Sequence, residues 1–497
     1  MADGRDKTNP EPEEEFRSYG DIVWRQFKKY DFAYWCLHIL GFLLFVALIA
    51  PIIALDVPFY LHVPADLPAE KLRGVLPSTV SIAELRGSSF PWFRTLVNTL
   101  YFDNPIDQFF NFLLFTLPVN ILLWLVFKSR LDVDSKRDYR SIRALFIWAS
   151  VLVQATLLTT TFYVGISTSF ANLADIGPLV KFVAAAGLLN LALWGLLAYT
   201  REFSSDEHYR SFREVFILFS ALFHISAIVG LLIPDLGQGS LPYAELAEVE
   251  GVEAIFPPLR HAYWGTTMET HIDPNWAHLL GTDGKGRDVL ARLIYGTRIS
   301  LTIGLVAQGI ATAIGIVMGS IAGYFGGKTD MVILRIIEVF YTFPALFVIF
   351  VLAGFIEEPN ILYVMVIIGL VFWTRVARLV RGEYLRLREE EFVQAAQALG
   401  LPERRVIFRH ILPNALGPVL VYIVFGIAGA ILFEAIVSFL GVGDMSVPSW
   451  GQILRAGDQS ERMLLIFAPG IALFITVTAM YLVGEGVQDA MDPKLRE

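Results

Sequence analysis

The sequence predicts an all-α polytopic membrane protein with ten transmembrane helices. The 497 residues are 55% hydrophobic, and the mean hydropathy of +0.56 lies well above that of a soluble globular chain. The charged residues, 18% of the chain, cluster between apolar runs about as long as the 20 residues that cross a bilayer. Lys and Arg are spread unevenly over the connections, which fixes an orientation.

Residues 1–32 read as a cytoplasmic N-terminal tail, Pro- and Glu-rich up to Gly20 and too polar to fold alone. The first span covers 33–53, with Trp24, Tyr30, Tyr34 and Trp35 placed as an interfacial aromatic belt. An external segment, 54–107, follows; its amphipathic part, 90–101, is suited to a membrane surface. Four spans come next within 108–233, at 108–127, 145–166, 178–199 and 214–233. The connection 128–143 carries Lys128, Arg130, Lys136, Arg137, Arg140 and Arg143, and 201–213 carries Arg201, Arg210 and Arg213, whereas 167–177 has no Lys or Arg. The basic loops are therefore placed inside. A second external segment, 234–298, leads to five further spans, at 299–325, 331–356, 361–379, 415–440 and 463–483. Ten spans leave both termini cytoplasmic.

Composition excludes several classes. The net charge of -9 comes partly from Glu11, Glu13, Glu14 and Glu15 of the tail, and there is no basic patch for nucleic acid. Cys36 is the single cysteine, so no internal disulfide or cysteine metal cluster is implied. No cleavable signal peptide is expected ahead of the first span. No HExxH, CxxC or GxSxG pattern supports an enzyme. GYFGGKTD at 323–330 is a near miss for a phosphate loop: Ala322 stands where Gly is required, and no strand precedes it. It is expected to be a tight turn on the inner face, so this chain holds no ATPase and the energy must come from a partner.

The most informative stretch is 392–414, FVQAAQALGLPERRVIFRHILPN, a polar segment between apolar runs. Residues 394–399 are strong helix formers. Gly400 suits the position past a helix C-terminus, and Pro402 the first turn of the next helix, which is expected to end before Pro413. Ala395, Ala396 and Ala398 leave a low surface, with Arg404, Arg405 and Arg409 beside it. Read from composition alone, this is equally a solvated cytoplasmic hairpin.

The stretch resembles the coupling loop of bacterial ABC-importer permeases, which has EAA, three residues, Gly, then I-x-L-P further on. Ala395, Ala396, Gly400, Leu412 and Pro413 match at that spacing; Gln394 replaces the usual Glu and His410 the usual Ile. WAHLLGTDGKGRDVLARLIYG at 276–296 is similar to the turn that leads into the membrane core in the C-type subunit of dipeptide and oligopeptide permeases, through Gly281, Thr282, Asp283, Gly286, Arg287 and Asp288. The segment 433–454 and GEGVQDAMDP at 484–493 resemble the family's last external loop and C-terminus, and 255–267 looks closest to its microcin-type variant.

The resemblance implies a six-span type I importer core formed by 33–53 and 299–497, with 108–233 as a four-span insertion and 392–414 as the coupling loop. It implies a non-catalytic permease subunit for peptides or related solutes in a bacterial plasma (inner) membrane. The implied partners are a second, B-type permease, one or two cytoplasmic ATPases that hold the ATP and Mg, and an extracytoplasmic binding protein. No cofactor is implied on this chain. Gln394, Ala395, Ala396, Gly400, Arg404, Leu412 and Pro413 are the implied coupling residues. The rival class, a self-sufficient secondary transporter or channel, calls for inverted repeats or midplane ionisable groups, and neither stands out.

Other charged residues have plain readings. Arg335 and Glu338, three apart, make a local ion pair. Pro344 kinks its span. Asp283, Arg287 and Asp288 cap the helix that begins near Arg287, or else contact a docked binding protein. Glu434 is paired locally, and His224 is a buried hydrogen-bonded residue of the insertion.

Overall fold

The computed structural model describes residues 19–76, 82–97, most of 102–121, 241–355 and 360–492. The inserted spans beyond 121, with His224 and the loops that set the orientation, lie outside the described residues. Five helices among those described are long and apolar enough to cross a bilayer: Asp31–Ile53, Val289–Phe325, Ile361–Leu387, Glu403–Phe439 and Met463–Met491. The pair Gly327–Thr342 and Ala345–Gly354 is long and apolar enough for a sixth when taken together as one broken span. These six coincide with the spans assigned to the permease core.

In chain order, α1 is Tyr19–Phe27 and α2 is Asp31–Ile53. Short pieces follow: β1 (Tyr60–Val63), α3 (Ala69–Arg73), α4 (Ile82–Leu85), β2 (Gly87–Ser89), α5 (Pro91–Val97), α6 (Tyr243–Glu248) and β3 (Glu253–Ile255). The core is α7 (Val289–Phe325), α8 (Gly327–Thr342), α9 (Ala345–Gly354), α10 (Ile361–Leu387), α11 (Glu391–Ala398), α12 (Glu403–Arg405), α13 (Leu412–Phe439), α14 (Trp450–Ser460) and α15 (Met463–Met491).

The sequence-based expectation of an all-α chain needs correction. A three-stranded antiparallel sheet, in the order β2-β1-β3, forms within the predicted external segments. Leu61 pairs with Ser89 on one side and Ala254 on the other. Leu61 and Val63 alternate inward onto Leu67, Leu72, Leu85, Leu241 and Leu246, giving this unit its own small core. Runs this short and mixed show no helical or strand period, so the sheet was not legible. Its consequence is topological, because β1 and β3 bring the two flanks of the insertion together. Within the 90–101 stretch, α5 packs against the end of α2, with Trp92 Nε1 donating to the Pro51 carbonyl at 2.8 Å and Leu96 buried beside Ala50 and Ala54.

α7 and α10 form the central pair. Gly315, Gly319 and Gly323 lie four residues apart on α7, and a side chain at any of them meets Val376, Ala377, Val380, Arg381 or Tyr384 of α10. Small residues on this spacing let two membrane helices approach closely. α13 crosses α7 where Gly304 meets Ile427 and Ile431, and Gly296 meets Trp450 of α14. The outward faces carry exposed apolar residues such as Phe42, Phe45, Phe347, Phe467 and Phe474, as a lipid-facing surface does.

Three further expectations are sharpened. The span 331–356 is two helices, bent by 85°. Phe343 and Pro344 sit between them in extended conformations, because proline disfavours helical geometry at the residue before it. The span from 299 begins earlier, since α7 starts at Val289. The helix after Pro402 does not stop before Pro413. It continues through one π-helical turn, Val406–Ile411, into α13, and Pro413 falls in the first turn of α13. The wider turn accommodates a proline that lacks an N–H donor.

Candidate functional site

The coupling stretch is the short helix α11 and the head of the long helix that continues as α13, held against α10 by one face. α11 buries Val393 and Ala396, which pack with Val406, Ile407 and Ile411 against Val376, Val380, Tyr384 and Leu387 of α10. Tyr384 lies buried in this cluster, and its hydroxyl donates to the Ile407 carbonyl at 3.0 Å, within the π turn. Arg381 pairs with Asp330, joining α10 to the start of α8. Arg388 Nη1 donates to the Gly323 carbonyl at 3.4 Å. The loop is thus fixed to α10, and the end of α10 is in turn pinned to α7 and α8.

The other face is free. Phe392, Gln394, Ala395, Gln397, Ala398 and Leu399 are exposed, and Leu399 is the most open at 81%. Ala396 belongs to the buried face, so the low outer surface is made by Ala395 and Ala398. Gln394 bonds back to the Glu389 carbonyl at 3.0 Å; a Glu side chain has no proton for that bond. Gly400 has φ +69, the left-handed value expected past a helix end. Its N–H donates to the Gln397 carbonyl at 2.9 Å and the Leu401 N–H to Ala396 at 3.2 Å. Arg404, Arg405 and Arg409 are exposed next to this face, Leu412 is half-buried and Pro413 exposed.

The turn at 281–288 is a self-contained device. Gly281 (φ +75) and Gly286 (φ +73) both adopt left-handed geometry. Thr282 Oγ1 accepts from the Ile272 N–H at 2.8 Å. Asp283 Oδ1 accepts from the N–H groups of Lys285 and Arg287, and its Oδ2 from Arg287 Nε at 2.9 Å. Burial on its own raises an acid's pKa, but the bonded Arg287 guanidinium outweighs it and holds the Asp283 carboxyl below its ordinary value. Asp288 is the N-cap of α7, its Oδ1 accepting from the Ala291 N–H at 2.7 Å. Capping is therefore done by Asp288, while Asp283 and Arg287 brace the turn before it.

Arg298 went unnoticed in the sequence because it stood at the edge of a predicted span. It is completely buried in α7. Its Nε donates to the Ala47 carbonyl at 2.6 Å, and its Nη1 to Asp107 Oδ1 and Asn111 Oδ1, each at 2.9 Å. Tyr263 donates to Asp107 Oδ2 at 2.9 Å. Residues 105–111 are helical, and Ile106 and Phe110 join the main apolar core. The chain at the start of the insertion thus packs against the core through Ile106, Phe110 and the Arg298 contacts. Asp107 and Asn111 at i, i+4 were the available signal.

The remaining candidates behave plainly. Arg335 and Glu338 pair at 2.6 Å on an exposed face. The Ser438 hydroxyl donates to Glu434 Oε1 at 2.6 Å in the buried upper part of α13. At 323–330 the chain makes a tight interhelical turn through Gly326 and Gly327, both with positive φ.

The apolar core spans and the loop packed against their end fall largely within the parts of the chain that two family models match. Residues 315–497 match the family model described as "Binding-protein-dependent transport system inner membrane component". Residues 18–68 match "N-terminal TM domain of oligopeptide transport permease C". The oligopeptide transport system permease protein OppC of Haemophilus influenzae is 42% identical over 44% of this chain and 71% of its own length. OppC of Escherichia coli K12 is 41% identical over 46% and 76%. The dipeptide transport system permease protein DppC of Alkalihalophilus pseudofirmus is 38% identical over 49% and 82%. The inward-facing methionine transporter MetNI overlaps at 17% identity and a TM-score of 0.35, covering 40% of this chain and 96% of that one, too distant to argue from.

The chain belongs to the C-type subunit family of ABC peptide permeases. It is a multi-pass inner-membrane permease subunit of an ABC importer. It is not itself an enzyme, since hydrolysis of ATP falls to partner ATPases.

Proposed function

We propose that this chain forms half of the translocation pathway of a peptide importer and receives the force of ATP hydrolysis through residues 392–414. The observation that carries this reading is the two-sided build of α11. Val393 and Ala396 fix it to α10 and to the head of α13, while Ala395, Ala398 and Leu399 offer a small apolar surface outward. A closing ATPase cleft that grips this surface moves α10 and α13 as rigid levers, because the loop has no slack of its own. Gln394, Gly400, Arg404, Leu412 and Pro413 complete the contact or its geometry. The similarity to oligopeptide and dipeptide permeases supports peptides as the substrate class.

The partners on this reading are a B-type permease, one or two ATPases carrying ATP and Mg, and an extracytoplasmic binding protein. Coupling on this reading requires no cofactor of this chain's own. The topology is ten spans with both termini inside: tail 1–32, first core span 33–53, external segments 54–107 and 234–298, insertion 108–233 and core 299–497. Pairing of β1 with both β2 and β3 supports it, since the chain leaves and re-enters the insertion on one side of the membrane. An even number of inserted spans satisfies that condition.

The experiment is reconstitution of the complete transporter in proteoliposomes with loaded binding protein. Peptide uptake that depends on ATP and on this subunit is expected. Uptake that persists in the absence of the ATPases overturns the proposal.

A further inference from the structure

Three side chains with metal-ligating atoms converge where the second predicted external segment meets α7. They are His261, on the strap that follows β3, His278, on the turn before Gly281, and Asp288, the α7 N-cap. One ligand atom from each lies within 4.8 Å of the other two. His278 and Asp288 are buried and His261 is half-buried.

The rings are already held in place. His261 Nε2 lies 3.0 Å from the Ala277 carbonyl. A carbonyl only accepts, so this nitrogen carries the proton and Nδ1 keeps a lone pair. His278 Nδ1 lies 2.9 Å from Asp288 Oδ2. The two imidazoles stack with centroids 4.3 Å apart and 21° between planes, which brings their nitrogens into one small volume. Metal-binding histidines are oriented as His261 is, the non-ligating ring nitrogen bonded to a carbonyl, while the 2.9 Å between His278 Nδ1 and Asp288 Oδ2 is the separation of two ligand atoms that an ion would bridge once it displaces the shared proton. Asp288 divides its work, Oδ1 capping α7 through Ala291 and Oδ2 facing His278.

We propose that His261, His278 and Asp288 form a binding site for a divalent transition-metal ion, with Zn2+ the best-matched cation. Two imidazoles and a carboxylate are the nitrogen and oxygen ligands that Zn2+ takes, and three protein ligands leave a fourth position for water. The hard cations Mg2+ and Ca2+ call for more oxygen ligands than this site supplies. The positive end of α7 works against a cation, and the Asp288 carboxylate offsets it. The ion would tie the strap to α7. The strap is already tied to the end of α2, where the Leu259 N–H donates to Ile53 at 2.9 Å, and Tyr263 on it reaches Asp107. One ion would therefore clamp α2, the strap and α7 above the buried Arg298.

The site requires nothing of the peptide-transport reading, and its test is independent of transport. The full chain, carrying no polyhistidine tag, is purified in detergent and stripped with a chelator. It is titrated with Zn2+ by calorimetry, and its metal content is measured after dialysis. Co2+ is then used as a spectroscopic probe of ligand geometry. His261→Ala removes a ligand without touching the helix cap, and His278→Asn keeps a donor for Asp288. Expected are one Zn2+ per chain, a Zn2+-dependent rise in Tm, and tetrahedral Co2+ absorption bands. Outer-shell changes at metal sites cost about 10–100-fold in affinity, so losing a ligand should weaken binding by at least ~100-fold in either variant. The Tm response should vanish with it. Absence of stoichiometric binding, or binding unchanged in both variants, overturns the proposal.

Discussion

Arg298 and Asp107 are separated by 191 positions in the chain and meet at 2.9 Å with both side chains buried. The guanidinium also reaches Asn111 and the Ala47 carbonyl, so it spans α2, the start of the insertion and α7. An arginine at this depth is tolerated because its donors find acceptors on several sides.

Removing one partner should be costly. Asp107→Ala strands a buried positive charge, a change worth about 3–5 kcal/mol. Asp107→Asn keeps an acceptor oxygen and should cost less. Thermal unfolding of the purified chain should rank wild type above Asp107→Asn and Asp107→Asn above Asp107→Ala. Equal Tm values would mean that the pair is incidental.

The α7–α10 contact gives a second prediction. A Cβ added at Gly319 would lie 2.8 Å from the Val380 Cβ, so Gly319→Leu must push the helices apart. Overpacking of this kind costs about 1–3 kcal/mol. Lower yield in the membrane and a reduced Tm are expected, while Gly429→Ala, in α13 with open space around it, should leave both unchanged.

The core was legible where chemistry is local. Spans declare themselves by length and apolarity. Gly400 announced its left-handed turn, and the trio Asp283, Arg287 and Asp288 a cap that proves to be Asp288 alone, because each depends on neighbours a few residues away. Arg298 did not, since its meaning lies in Asp107, nearly two hundred residues earlier. The π turn at Val406–Ile411 was hidden for a different reason: Pro413 argues for a helix break, and only packing against Tyr384 shows how the helix carries on. Ala396 is a third case. The family spacing singles it out with Ala395, but composition cannot tell which alanine faces inward.

Asp283 predicts a pH response. Its pKa in the folded chain lies below the ordinary 3.8, through the bonded Arg287 and against the opposing effect of burial. The unfolded chain therefore binds this proton more readily than the folded one. The stabilisation is complete above the ordinary value and is lost as pH falls towards the folded one. Asp283→Asn should be destabilised at neutral pH and lose less stability than wild type on acidification below about pH 4. Parallel Tm-against-pH curves for the two proteins would contradict this.

Topology can be checked in the insertion directly. Cysteines replacing Ser204 and Ser240, in a Cys36→Ala background, should react with impermeant reagents from opposite faces of the membrane. Reaction from one face alone would rule out the ten-span arrangement.

The central claim is that α11 transmits force through its exposed small face while its buried face only holds it in place. Gly400→Val and Ala396→Arg disturb the fold of the loop, the first through its positive φ and the second by forcing a charge into the cluster around Tyr384. Gln394→Glu loses one hydrogen bond to the Glu389 carbonyl and should be tolerated. Ala395→Arg is the decisive change, because Ala395 is exposed and its replacement disturbs neither the core nor any span. ATPase co-purification and peptide uptake should be measured together for Ala395→Arg in the assembled transporter. The account predicts normal membrane insertion and pairing with the second permease, with ATPase association and uptake both lost. Full uptake by Ala395→Arg would contradict it and leave 392–414 as a solvated loop.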